Sequence, residues 1–69
     1  MADNLQTASP VARAVRDART ARGWSQAELA TRAGVSRPTV ARLEIGRSVS
    51  STTLLKVADA LELHLTLHR

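Results

Sequence analysis

Apolar residues recur along this chain at helical spacing in four successive stretches and at alternate positions in a fifth, and that change of period sets the expected architecture. The stretch "SPVARAVRDARTARG" puts Val11, Ala14, Val15 and Ala18 on one helical face, with Ser9 as N-cap, Pro10 at the first helical position and Gly23 as the stop. "WSQAELATRAG" repeats the grammar. Ser25 caps, Glu28 completes a capping box, Trp24 and Leu29 stand at the two positions of a hydrophobic staple, and a helix from Gln26 to Ala33 stops at Gly34. In "VSRPTVARLEIG" the cap is Ser36, the staple Val35 with Val40, and the stop Gly46. Pro38 falls inside this third helix, where a proline in the interior would cost about 3 kcal/mol, but in the first turn its missing N–H has no intrahelical partner to lose. "SVSSTTLLKVADAL" supplies a cap at Ser50 or Ser51 and a fourth helix carrying Leu54, Val57, Ala58 and Leu61.

The period then changes. In "LELHLTLHR" the residues Leu61, Leu63, Leu65 and Leu67 form one face of an extended segment, and Glu62, His64, Thr66 and His68 form the other. No upstream strand can pair with it; a competing reading continues the fourth helix through Leu63 and leaves a frayed tail. The expected layout is a loose polar arm at 1–8, an all-α domain at 9–61, and a strand at 62–69. An unpaired strand with a leucine face is an aggregation hazard, and a second copy pairing antiparallel across a two-fold axis removes it.

Composition narrows the function. The 69 residues contain no cysteine, which excludes disulfides and thiolate metal sites and points to an intracellular, cytoplasmic protein. Ten Lys and Arg against six Asp and Glu leave a net charge of +4, a balance that favours an acidic partner, nucleic acid first. Trp24 is the single aromatic residue, which argues against readers that stack bases on several aromatic platforms. No apolar run reaches the roughly 20 residues of a membrane span, and "MADNLQTAS" lacks the features of a signal peptide. No catalytic constellation, phosphate-cradling loop or metal motif is present, so neither an enzyme nor a cofactor is expected. His64 and His68 share a strand face with Glu62 and Thr66 but lack a further convergent ligand, so they read as solvated polar residues.

From Gln26 to Leu43 the pattern is helix, tight turn, helix: Ala30 is small where the helices approach, Gly34 can take positive φ, and Leu29, Val35, Val40 and Leu43 face inward. Through "SQAELATRAGVSRPTVARLEIG" the chain resembles the phage-repressor-like, or XRE, helix-turn-helix family, from Val11 to Leu61. The resemblance implies a lambda-repressor-like four-helix domain whose third helix enters the major groove of double-stranded DNA. It implies that Arg37, Pro38 and Arg42 reach base edges, and that Gln26 and Ser36 hold phosphates. Two bidentate arginines imply guanine in each half-site, while Pro38 can offer only apolar contact, as to a thymine methyl. Thr39 is open between a local cap and a phosphate bond, and Arg47 between a phosphate bond and the C-terminal helix dipole. Arg19 and Glu44 match a pair that bridges helices one and three in such proteins. Trp24 reads as a core and staple residue.

A helix-turn-helix of this type followed by "TTLLKVADALELHLTL" is similar to the HipB-type antitoxins. That resemblance implies a homodimer joined through C-terminal strands, a palindromic operator, and a HipA-type kinase toxin as partner. Two other readings stay open: a stand-alone XRE-type regulator, and a protein-interaction module that binds DNA weakly.

Overall fold

The computed structural model describes residues 9–63. It contains four helices: α1 (Pro10–Ala21), α2 (Gln26–Ala33), α3 (Arg37–Glu44) and α4 (Ser51–Ala60). Each begins on a serine whose Oγ accepts from the backbone N–H three residues on, a group the helix itself cannot satisfy. The bonds are Ser9 from Ala12 at 3.3 Å, Ser25 from Glu28 at 3.0 Å, Ser36 from Thr39 at 3.2 Å and Ser50 from Thr53 at 3.1 Å.

Each helix also ends in one way. A residue of positive φ follows it, and the next N–H reaches back into the last turn. Trp24 N donates to Arg19 O at 3.2 Å, Val35 N to Ala30 O at 3.0 Å, Arg47 N to Arg42 O at 3.0 Å and Leu63 N to Ala58 O at 2.8 Å. The left-handed position is glycine in the first three turns, Gly23, Gly34 and Gly46, and Glu62 at φ 58° in the fourth.

α2 packs on α3 and α4, and α1 on α3. The core is Val15, Leu29, Ala30, Val40, Leu43, Val57 and Leu61, with Trp24, Val35 and Leu54 packed against it. This agrees with the faces expected of α2, α3 and α4, and with both staples. α1 differs: Ala12 and Val15 are buried, whereas Val11 and Ala14 are exposed. The reason is the neighbour. α1 must turn Arg19 towards Glu44 of α3, which selects the stripe 12, 15 and 19 and rotates Val11 and Ala14 to the flank. The capping box is also only half made, because the Glu28 carboxylate pairs with Arg32 at 2.8 Å.

The start of the expected strand is corrected. Leu61 is 1% exposed and caps α4 with αR backbone angles, and Glu62 and Leu63 form its terminating turn. Leu61 therefore belongs to the protomer's own core. The expectations for Leu65, Leu67 and both histidines, like the arm at 1–8, lie outside the described residues.

Candidate nucleic-acid interface

The α2–α3 corner is built from backbone conformation and small residues. Gly34 adopts φ 74° and ψ 33°; a Cβ there would meet nothing within 4 Å, so the glycine is needed for its angles rather than for space. Ala30, 4% exposed, lets the two helices approach. Leu29 and Val40, both fully buried, hold the crossing.

This crossing orients α3. Val40, Leu43 and Glu44 face inward, which leaves Arg37, Pro38 and Arg42 exposed on the outer face with Ala41 half-buried beside them. Pro38 occupies the first turn, as expected, and the helix continues unbroken to Glu44. At the N-terminus of α3 the Ser36 and Thr39 hydroxyls share a hydrogen bond at 2.7 Å, while Ser36 also caps the helix. Thr39 thus takes part in the local cap. Two hydroxyls sharing one bond keep one proton free to donate, at a helix end that also favours an anion. At the other end of α3, the bond from Arg47 N to Arg42 O holds exposed Arg47 beside the last turn.

A buried ion pair supports the corner from behind. Arg19 Nε and Nη2 donate to the two carboxylate oxygens of Glu44 at 2.6 and 3.0 Å, and Nη1 donates to the Trp24 carbonyl at 2.8 Å. The Glu44 side chain is only 3% exposed. Its hydrogen bond and charge raise the Arg19 pKa above the ordinary arginine value, against a smaller opposing effect of burial. The pair joins the two residues that the resemblance implied. Its third member was not implied there: Gln26 Nε2 donates to Glu44 Oε1 at 3.1 Å. Gln26 is half-buried, so one amide proton is engaged inside the protein and the second remains able to donate outward. No local signal reveals this contact, because Gln26 and Glu44 lie on different helices. Ala41 stands one helical turn from both Arg37 and Pro38.

Trp24 packs on the core and stacks beneath two guanidinium groups, Arg32 at 4.3 Å and Arg22 at 5.6 Å from the ring centroid. These contacts engage its ring within the protein. Among the described residues there is no cluster of potential metal ligands, and no helix is long and apolar enough to cross a membrane.

A family model described as helix-turn-helix matches residues 15–67 of the chain. Comparison with curated proteins gave no match.

Proposed function

The chain belongs to the XRE-type helix-turn-helix family of DNA-binding transcriptional regulators, and on that premise we propose that it is a sequence-specific repressor that binds a palindromic double-stranded operator as a homodimer. The observation that carries this reading is the outer face of α3, where Arg37, Pro38 and Arg42 are exposed while the opposite face is locked into the core. Arg37 and Arg42 read guanine through paired donors, and Pro38 with the Ala41 methyl offers apolar contact to thymine. Gln26, Ser36, Thr39 and Arg47 set the register on phosphates. In a dimer, two α3 helices about 34 Å apart meet successive major grooves on one side of the duplex. Repression then follows from occupying the promoter.

The finer part of the reading is an antitoxin role toward a HipA-type kinase toxin, with autoregulation of a shared operon. Its support is the resemblance of residues 52–67 to HipB-type antitoxins. Affinity capture of the tagged protein from its native cells distinguishes it from a stand-alone regulator: a stoichiometric kinase-like partner is expected, and recovery of the protein alone removes the antitoxin role.

The DNA-binding proposal is tested by selecting bound duplexes from a random library, then titrating the selected site. Arg37→Ala and Arg42→Ala are each expected to lose about 1–3 kcal/mol of discrimination at one base pair. Gln26→Ala is expected to weaken all duplexes to a similar degree. Unchanged base preference in both arginine variants would overturn the assignment of the reading face.

A further inference from the structure

α1 packs chiefly on α3, and α4 chiefly on α2. Between α1 and α4 lies a groove of about 150 Å³ lined by Pro10, Val11, Ala14, Leu54, Ala58 and Leu63. Its α1 wall is open, since Val11 is 39% exposed and Ala14 is also exposed. Among the described residues no charged side chain lines it, so they offer no group to orient a polar ligand and suit hydrocarbon. A volume of this order holds a benzene-sized apolar group. Leu63 forms one rim, held there by the closing turn of α4. The next apolar residues in the sequence are Leu65 and Leu67, in alternation with Leu63.

We propose that this groove receives Leu65 and Leu67 of a second copy of the chain, reciprocally about a two-fold axis. The inference rests on the homodimer reading and adds where the leucine row is buried. Leu63 already occupies the rim in its own copy, and extended chain advances about 3.3 Å per residue, which carries Leu65 about 7 Å and Leu67 about 13 Å beyond it. If the segment folded onto its own groove, a single strand would lie on an apolar wall with backbone N–H and C=O groups unpaired along an edge. Two such segments crossing antiparallel satisfy each other's backbones, and each sends its leucines to the other copy. The same contact covers Val11 and Ala14, the apolar positions of α1 that its own domain leaves exposed.

The 69 residues contain no cysteine, so introduced thiols report without background. The test combines sedimentation equilibrium of the wild type, Val11→Glu and Leu65→Glu with oxidative cross-linking of the Ala14→Cys/Leu65→Cys double variant, its disulfide mapped by mass spectrometry. Val11→Glu adds an acid to the first turn of α1, which suits the helix dipole, so its monomer should retain the wild-type helical circular dichroism. The wild type is expected to dimerise, either glutamate to raise the dimer dissociation constant about tenfold or more, and the double variant to give a disulfide between positions 14 and 65 of different chains. Dimers without that cross-link, and unaffected by Val11→Glu, would overturn the groove assignment while leaving the homodimer in place. A disulfide within one chain would show that the groove takes its own segment, contrary to the proposal. A wild type that stays monomeric at every concentration would remove both the groove contact and the homodimer reading.

Discussion

The Arg19–Glu44 pair shows how little of a buried ion pair's importance lies in simple attraction. Desolvating two charges is expensive, and the pair is tolerated because its geometry is bidentate and its remaining groups find the Trp24 carbonyl and the Gln26 amide. Among the described residues no buried side-chain nitrogen or oxygen lacks a partner. Removing one member exposes the cost. Glu44→Ala strands the guanidinium, 13% exposed, and is expected to lower unfolding free energy by about 3–5 kcal/mol in urea titrations, a large share of the stability of a small domain. Gln26→Ala should cost only about 1 kcal/mol. A loss of DNA affinity in that variant at temperatures well below its melting transition therefore reports the phosphate contact and not unfolding. The raised Arg19 pKa means that its stabilisation is fully present below the ordinary arginine value and fades only as pH rises through the higher folded value. Arg19 consequently adds no pH dependence near neutrality.

Among the elements, the four helices share one design: a serine cap at the start and a left-handed turn at the end. The fourth end departs from it, since Glu62 holds φ 58° where its counterparts are glycine. A side chain in that region costs about 1–2 kcal/mol, partly offset because glycine loses more freedom on folding. The Glu62 carboxylate recovers little, its pair with Arg22 being 3.8 Å long and 84% exposed on the glutamate side. Glu62→Gly is thus expected to raise unfolding free energy by about 0.5–1 kcal/mol, measured by chemical denaturation. A fall in stability would mean that the Glu62 side chain contributes something its contacts do not reveal.

For the whole molecule, the basic balance and the reading face make separate contributions to DNA binding. Phosphate contacts release counterions, so the slope of log affinity against log salt counts them at about 0.9 per contact, whereas neutral Gln26, Ser36 and Thr39 leave that slope nearly unchanged. Arg47→Ala, present twice in a dimer, is expected to reduce the slope by about 2 while leaving base preference intact. An unchanged slope would return Arg47 to the role of a cation at the C-terminal dipole of α3. The same titration on a single half-site separates dimeric from monomeric occupancy, because one protomer then has no second groove to fill.

Local interactions are written within a few residues of where they act, so the sequence by itself determined the four helices, their serine caps, the glycine stops of the first three and the two staples, while the outward position of Arg37, Pro38 and Arg42 followed from the resemblance. Even the Arg19–Glu44 pair was legible, through resemblance. What required the tertiary structure were the contacts between groups distant in sequence. The burial of Ala12 in place of Val11 and Ala14 follows from which side of α1 meets α3. The binding of Gln26 to Glu44 follows from a helix crossing that no spacing encodes. Leu61 and Leu63 carry the alternation of a strand, and period alone cannot tell two leucines of a strand from one that caps a helix into the core and one that folds back over it. That choice was made by the core that Leu61 shares with Val15, Leu29, Val40 and Leu43, where burying it is worth more than extending it into solvent.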